Sequence, residues 1–151
     1  MNNLITATNR IPEMTQIAID KVCDIEEMAL TMPQVDLATS HLIHGGMYAR
    51  TMMIPANVMI TGALIKIATV LIVHGDVTVY IGDEPLELHG YNVIPASTNR
   101  KQAFVTQSDS WLTMIFPSSA ENITDAEIEF TDDAERLISR KSVNYVTITG
   151  E

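Results

Sequence analysis

Short β-type segments that alternate with turn residues fill the middle of the chain and restrict its fold more than any other feature. Between Met47 and Phe116 the apolar and β-branched residues occur in short runs, and no stretch of helical periodicity separates them. Turn-forming pairs lie between the runs at Gly75-Asp76, Gly82-Asp83 and Ser108-Asp109. Strands this short and regularly spaced are typical of an antiparallel β-sandwich or barrel. The sequence therefore predicts a mainly β domain over residues 47–116.

One of these runs, Thr69–Val73, is apolar at both odd and even positions. Successive residues of a strand point to opposite faces of the sheet, so this pattern predicts a strand that is covered on both faces. We expect one face to look into the barrel. The other would face either a helix or a second copy of the chain.

Helices are predicted on both sides of the β region. Apolar residues recur every three or four positions over residues 13–31, between Pro12 and Pro33, which predicts an amphipathic helix lying on the domain or on a partner subunit. Thr124–Glu127 (TDAE) has the form of a capping box and predicts a second helical segment that ends near Arg140. The tail at 143–149 is either a last strand or a disordered end, and such a strand could pair with another protomer. We expect a single domain over residues 1–151, with the C-terminal helical segment and tail at 124–151.

Composition limits the possible partners and the compartment. The chain has 151 residues and one cysteine, Cys23, so an internal disulfide is excluded. It shows neither a signal segment nor a long apolar run, and we expect a cytoplasmic protein. The net charge of −10 argues against long nucleic acids and anionic membranes as partners, because clustered Lys and Arg hold those.

The charges are distributed unevenly along the chain. No Asp or Glu occurs at 37–75 or at 88–108, whereas the cations Arg50, Lys66, Arg100 and Lys101 lie in these two windows. The acids are concentrated towards the two ends. A locally cationic centre in an acidic protein favours a small anion over a long polyanion.

Several turn and strand motifs resemble those of the cupin family of small β-barrels. Pro55-Ala56-Asn57 and Gly75 match the first cupin motif, and Gly90, Val93-Ile94-Pro95 and Ala96-Ser97 match the second. The resemblance covers about residues 47–116 and implies a cupin-like antiparallel β-barrel, or jelly roll. The segments GALIK, GDVTVYIGDE and RKQAF are also similar to segments of cupin-like proteins that tailed phages encode. If a phage encodes this chain, the expected compartment is the host cytoplasm.

The resemblance places the family's metal-ligand positions on residues that do not bind metals. The two His positions fall on Ala63 and Ile65, the Glu position on Ala68 and the second-motif His on Arg100. A divalent transition metal needs imidazole nitrogens or carboxylate oxygens. We therefore expect neither a metal nor another cofactor. A site elsewhere would draw on His44, His74 and His89, whose spacing matches no metal motif.

The segment Arg100–Phe104 (RKQAF) predicts the ligand site. Strand alternation puts Arg100, Gln102 and Phe104 on one face and Lys101 and Ala103 on the other. If Arg100 takes the family's ligand position, the first set points into the barrel. A guanidinium binds a phosphate or carboxylate, an amide reads polar edges and a phenyl ring stacks on a base. The predicted ligand-binding residues are Arg100, Gln102, Phe104, Lys101, Arg50, Tyr48, Lys66 and Tyr91.

A buried arginine needs a partner, because an uncompensated charge in the interior costs several kcal/mol. The structural alternative is therefore that Arg100 forms an ion pair across the barrel or a dimer seam, with one of Asp76, Asp83, Glu84 and Asp109. Alternation also turns Lys66 outwards, where it could serve a rim or a subunit interface together with Lys101.

These observations lead to three functional hypotheses. The first is a non-catalytic, metal-free cupin, a homo-oligomer, that captures an anionic nucleotide-type ligand. The phage resemblance suggests, more narrowly, a sponge for a nucleotide messenger of host immunity. The second is an oligomeric structural or virion-associated protein. The third is a metal-independent epimerase-type cupin that uses a His base and a Tyr acid, although no sequence motif pairs a particular His with an orienting carboxylate.

Overall fold

A computed structural model describes residues 9–82 and 84–151. The chain forms ten strands and two α-helices within this range. The helices are α1 (Gln16–Ala29) and α2 (Ile123–Phe130), and two short 3-10 helices follow at Ala134–Arg136 and Ile138–Arg140. The strands are β1 (Thr39–His44), β2 (Met47–Ile54), β3 (Met59–Thr61), β4 (Thr69–His74), β5 (Val77–Tyr80), β6 (Pro85–Leu88), β7 (Tyr91–Ala96), β8 (Ala103–Thr106), β9 (Ser110–Pro117) and β10 (Asn144–Ile148).

The strands form two sheets whose order defines a jelly roll. The six-stranded sheet has the order β10-β1-β2-β9-β4-β7, and the four-stranded sheet has the order β3-β8-β5-β6. The antiparallel pairs β2–β9, β3–β8, β4–β7 and β5–β6 are nested, as in a long hairpin that has been rolled up. This order confirms the prediction of a mainly β, cupin-like jelly roll with an N-terminal and a C-terminal helix.

Alternating burial along the strands builds the core between the sheets. In β9, Leu112, Met114 and Phe116 are buried, whereas Trp111, which comes just before them, is 44% exposed. The inward residues of both sheets join one apolar cluster that includes Val73 and Phe104. The core therefore follows the period-two pattern of the sequence.

Helix α1 packs on the outer face of the four-stranded sheet. It begins after Thr15, whose side chain accepts a hydrogen bond from the backbone N–H of Ala18 at 3.2 Å, so it is shorter than the predicted 13–31. Ile19 and Val22 form a second apolar cluster with Ala103. The inner face of β4 is buried as predicted. On its outer face, however, Val70 is 43% exposed, so no described element covers that side.

The C-terminal segment closes back onto the domain. The cap of α2 is Asn122, which accepts a hydrogen bond from the N–H of Asp125 at 2.9 Å, so the prediction of a cap at Thr124 was wrong by two residues. The extended backbone of Asn122 suits a cap. The tail forms β10, which pairs in parallel with β1 of its own chain rather than with another protomer. No helix in the described range is long and apolar enough to cross a membrane.

Candidate ligand cavity

A cavity of about 650 Å³ lies between the two sheets. Leu71, Leu112 and Met114 of the six-stranded sheet and Phe104 of the four-stranded sheet form part of its wall. Residues 32–35, which follow α1, and residues of the C-terminal segment complete the lining. Most of these side chains are aliphatic or methionine, so the few charged groups in the wall are the informative ones.

Five of the predicted ligand-binding residues line this cavity: Arg50, Arg100, Lys101, Gln102 and Phe104. They are joined by Ala63 and Ile65, the residues at the family's two His positions. The backbone N–H of Ile65 donates to the carbonyl of Arg100 at 2.8 Å, and that of Arg100 donates to Ile65 at 3.1 Å. Two of the four positions that the resemblance equates with metal ligands, Ile65 and Arg100, therefore pair directly, whereas Ala68, at the Glu position, does not line this cavity.

The Arg100 side chain is 1% exposed and makes its contacts with neutral acceptors. Its Nη1 donates to the carbonyl oxygens of Ile67 at 2.9 Å and Ser97 at 2.5 Å, and its Nη2 donates to Thr69 Oγ1 at 2.7 Å. Burial lowers the pKa of Arg100 to about 10, so the guanidinium remains charged at neutral pH.

No carboxylate of the described residues forms an ion pair with Arg100, and two of the partners expected for the structural alternative, Asp76 and Asp109, have other contacts. Asp76 contacts His89 at 2.9 Å, and Asp109 accepts a hydrogen bond from the N–H of Ala56 at 3.0 Å. Asp83 lies outside the described residues. In the described part of the chain, the charge of Arg100 is thus solvated by backbone and hydroxyl oxygens and is not neutralised.

Two buried donors in the cavity wall lack a partner. They are Arg100 Nε and Gln102 Nε2, and both atoms are inaccessible to solvent. A buried donor without a partner costs about 1–3 kcal/mol. Because water cannot reach these atoms, an acceptor in the cavity would recover this free energy only by displacing the side chains that cover them.

Lys101 points to the α1 side, and a carboxylate from that helix neutralises it. Lys101 Nζ donates to Glu26 Oε2 at 2.7 Å and to the carbonyl of Gly62 at 2.8 Å. Glu26 also accepts from Thr61 Oγ1 and from Arg136 Nη2, each at 2.8 Å. Burial raises the pKa of Glu26, but the hydrogen bonds and charges of its partners outweigh it and hold the pKa below its usual value. The predicted alternation is confirmed, because Ala103 packs under α1 and Phe104 packs in the core.

Arg50 is neutralised by a buried carboxylate from α2. Its Nη1 lies 2.9 Å from Glu127 Oε2, and its guanidinium lies 5.6 Å from the ring centroid of Phe130. Glu127 is 1% exposed and also contacts Ser139 and Arg140. Burial raises the pKa of Glu127, but these partners outweigh it and hold the pKa below normal. Sequence reasoning missed Glu26 and Glu127 as partners of these cations. The only feature of the sequence that pointed to them was the concentration of acids at the chain ends.

Three predicted ligand-binding residues lie outside the cavity lining. Lys66 is half-exposed and pairs with Asp132 at 2.7 Å, consistent with its outward parity. Tyr91 is 66% exposed on the far edge of the six-stranded sheet, against the ring of His74. Tyr48 is fully buried beneath the cavity because its ring is part of the aromatic core.

Tyr48 belongs to a hydrogen-bond chain that leads from the core to the exposed residue Asn144. Its hydroxyl lies 2.6 Å from His41 Nδ1, and His41 Nε2 lies 2.7 Å from Asn144 Oδ1. Asn144 donates its amide to the carbonyl of Ser139, so its Oδ1 accepts from His41, and Nδ1 then accepts from the tyrosine hydroxyl. Burial lowers the pKa of His41 and raises the pKa of Tyr48, which favours the neutral form of both.

The cavity does not fit the metal that the family resemblance implies. Ala63 and Ile65 offer no donor atom, and Arg100 is a permanent cation that repels metal ions. Across residues 9–82 and 84–151, no three His, Cys, Asp or Glu side chains are grouped as ligands.

Comparisons with known proteins give structural neighbours of low sequence identity. No protein-family model matches the chain. No curated protein matches it either. A cupin-2 domain protein of Shewanella frigidimarina is 10% identical with a TM-score of 0.42, covering 62% of this chain and 91% of its own. A cupin superfamily protein of Desulfitobacterium hafniense is 9% identical with a TM-score of 0.46, covering 76% and 100%. The DMSP lyase DddQ of Ruegeria pomeroyi is 12% identical with a TM-score of 0.42, covering 78% and 71%.

Proposed function

We propose that this protein is a non-catalytic binding protein that holds a small organic anion in the cavity between its sheets, without a metal. The observation that carries the proposal is Arg100, a buried cation in the cavity wall whose described contacts are all neutral. Of the other cations in this wall, Arg50, Lys101 and Arg136 already have carboxylate partners, and Lys141 is exposed to solvent. Arg100 is therefore the buried cation in this wall that an external anion would neutralise.

The lining supports a ligand with an apolar or aromatic body and little charge. A volume of about 650 Å³ is within the usual range for small-molecule pockets, about 300–1,000 Å³. Phe104 offers a ring face, and Gln102 offers an amide donor without a partner. One uncompensated cation matches one or two negative charges better than the four of a nucleoside triphosphate.

A nucleotide-type ligand is the narrower form of the proposal. A nucleoside monophosphate or a cyclic nucleotide combines a flat base, polar edges and a small negative charge, which Phe104, Gln102 and Arg100 complement. The resemblance to cupin-like phage proteins extends this to a sponge that sequesters a nucleotide messenger of host defence.

The placement of the acid and base groups supports binding rather than catalysis. The hydrogen-bonded His41–Tyr48 pair is 3% and 0% exposed and does not line the cavity. A ligand in the cavity would therefore not contact the pair that an epimerase mechanism would require as base and acid.

Native mass spectrometry of the purified protein tests the proposal. The metal content and the mass of the protein would first be measured without added ligand. The mass would then be measured after incubation with nucleoside monophosphates, with cyclic mono- and dinucleotides, and with nonnucleotide organic anions that have apolar bodies. We expect a metal-free protein that gains one ligand mass per cavity. Uptake of nonnucleotide anions alone would support an anion-binding cavity and exclude a nucleotide-type ligand. No uptake from the whole panel would contradict the proposal, and so would turnover of a bound compound.

Arg100→Met and Lys66→Met form the matched pair of variants. Both remove one cation, but only Arg100 lines the cavity. We expect the first to weaken binding at least tenfold and the second to leave it unchanged, with circular dichroism confirming that both variants fold. Equal affinity of the folded Arg100→Met variant would overturn the role of Arg100.

A further inference from the structure

The six-stranded sheet has an outer face that no described element covers. Its outward positions are set by the strand register, in which Val70 lies opposite Ile115 and Pro95, and Ile115 lies opposite Ala49. The outer face consists of Ser40, Leu42, His44, Met47, Ala49, Thr51, Met53, Val70, Ile72, His74, Tyr91, Val93, Pro95, Trp111, Thr113, Ile115 and Pro117 on β1, β2, β4, β7 and β9. On β10, Tyr145 and Thr147 continue it beside Ser40 and Leu42.

None of these strand residues is Asp, Glu, Lys or Arg, although these residue types make up 19% of the chain. One carboxylate reaches the edge of the outer face, where Glu151 Oε2 lies 3.7 Å from His44 Nδ1. Several of its large apolar side chains are well exposed, including Val93 at 57% and Val70 at 43%. Contiguous apolar surface of this kind mostly marks an interaction site in a soluble protein.

Aromatic side chains are concentrated at one end of the outer face. The ring of His74 lies 5.7 Å, centroid to centroid, from both Tyr91 and Trp111. Trp111 is 44% exposed, and the register places Met53 beside it. Exposed Trp and Tyr side chains dominate the free energy of many protein interfaces.

We propose that a second copy of this chain covers the outer face, giving a symmetric face-to-face dimer. Helix α1 already covers the other sheet, so it cannot cover this one. Each copy carries a net charge of −10, and two copies repel each other wherever acidic surfaces meet. The uncharged face is the surface on which they can meet without opposing their acids.

The size of the outer face is sufficient for a stable dimer. Six strands spaced by about 4.8 Å, each about 20 Å long, cover roughly 600 Å². Two such faces would bury roughly 1,200 Å² in total, the lower end of the range for specific interfaces. A twofold axis that passes through the centre of the sheet brings the same surface of both copies together, which is an isologous contact. One substitution therefore alters the interface at two symmetric places. The proposal does not depend on the cavity, which lies on the opposite side of this sheet.

Analytical ultracentrifugation of the full chain tests the dimer. The experiment compares wild type with Val70→Asp and Val70→Lys on the outer face, and with Ile128→Asp and Ile128→Lys as controls on α2. The exposed fraction of Ile128, 52%, is similar to the 43% of Val70, but Ile128 lies on α2 and not on the outer face. We expect a wild-type dimer at micromolar concentration, dimers for both controls and monomers for both Val70 variants, since either charge would be desolvated in the interface.

Salt dependence separates this interface from one made by ion pairs. Added sodium chloride screens the repulsion between the acidic copies, so we expect the dissociation constant to fall several-fold between about 20 and 500 mM salt. A wild-type monomer at 100 micromolar, a dimer that Val70 substitutions leave intact, or a dimer that salt weakens would each overturn the proposal.

Discussion

Glu127 of α2 and Arg50 of β2 form a buried ion pair, 2.9 Å between Oε2 and Nη1, that fastens the C-terminal segment to the jelly roll. The side chains are 2% and 8% exposed. Removing one partner of such a pair leaves an uncompensated buried charge and costs about 3–5 kcal/mol. We expect Glu127→Gln to lower the free energy of unfolding by this amount in urea titrations, and the exposed control Glu121→Gln to change it by less than about 0.5 kcal/mol. Equal stability of the two variants would contradict the importance of the pair.

Glu26 competes with any anionic ligand for the cations near the cavity. Its carboxylate holds Lys101 and Arg136, at 2.7 and 2.8 Å, and all three residues line the cavity. Glu26→Gln removes this internal anion, so we expect the affinity for an anionic ligand to rise about three- to tenfold, which isothermal titration calorimetry would measure. Glu27→Gln, on the exposed side of the same helix, is the control. Weaker binding by Glu26→Gln would mean that Glu26 orders the site rather than competes for it.

Stability should decrease towards acid pH. The pKa values of Glu26, Glu127 and His41 are all lower in the folded protein than their ordinary values of 4.5, 4.5 and 6.5. The unfolded chain therefore binds more protons at low pH, and the free energy of unfolding falls as pH decreases, first below about 6.5 and again below about 4.5. Urea titrations from pH 3 to 8 would measure this, and His41→Gln should flatten the dependence between pH 5 and 7. An unchanged slope in that variant would exclude His41 as its source.

Tyr48 should produce the opposite dependence at alkaline pH. Its pKa is raised above the ordinary value of 10.0 by burial, so the unfolded chain loses this proton first. The stability that Tyr48 contributes is present below pH 10 and is lost as pH rises further. We expect Tyr48→Phe to be less sensitive than wild type between pH 9.5 and 11, measured by chemical unfolding. The same sensitivity in both proteins would assign the alkaline loss to other groups.

Gly75 is required at the turn between β4 and β5. Its φ of +138° is unfavourable for other residues, and a Cβ built there would lie 2.8 Å from Ser110 Cβ and 3.0 Å from Ser110 Cα. We expect Gly75→Ala to lower the melting temperature markedly, with a cost of about 2–4 kcal/mol. Ser110→Gly removes part of the clash, so the double variant should lose less stability than the sum of the single variants. If the stability losses of the two single variants added up fully in the double variant, the backbone conformation of Gly75 would be the sole cause of the loss in Gly75→Ala.

The sequence predicted the β architecture because alternation and turn residues act locally. Leu112, Met114 and Phe116 point inwards as their spacing requires, and the strand parity at Ala103 and Phe104 is correct. The limits of the strands and the pairing between distant strands were harder to predict. β1, which precedes the predicted barrel, was missed because it is completed by β10 from the other end of the chain.

The candidate site was predictable only in part for the same reason. Arg100, Gln102 and Phe104 follow from one short motif, and all three line the cavity. The pairing of Lys101 with Glu26 and of Arg50 with Glu127 joins distant segments, which no local period encodes. Tyr48, which lies two residues before Arg50, was predicted to bind the ligand, but its ring packs in the core against Phe116.

The nested pairing of the strands sets the order in which the chain can fold as it is synthesised. The inner hairpin β5–β6 can form as soon as both strands have left the ribosome, but Met47 of β2 pairs with Pro117 of β9, and Thr39 of β1 pairs with Asn144 of β10. At roughly 5–20 residues per second, β2 waits on the order of several seconds for its partner. Distant pairings of this kind also slow folding. The nascent chain therefore exposes the inward apolar face of β2, and the edge that later pairs with β9, throughout that interval. This is when the chain is most vulnerable to aggregation and most dependent on chaperones.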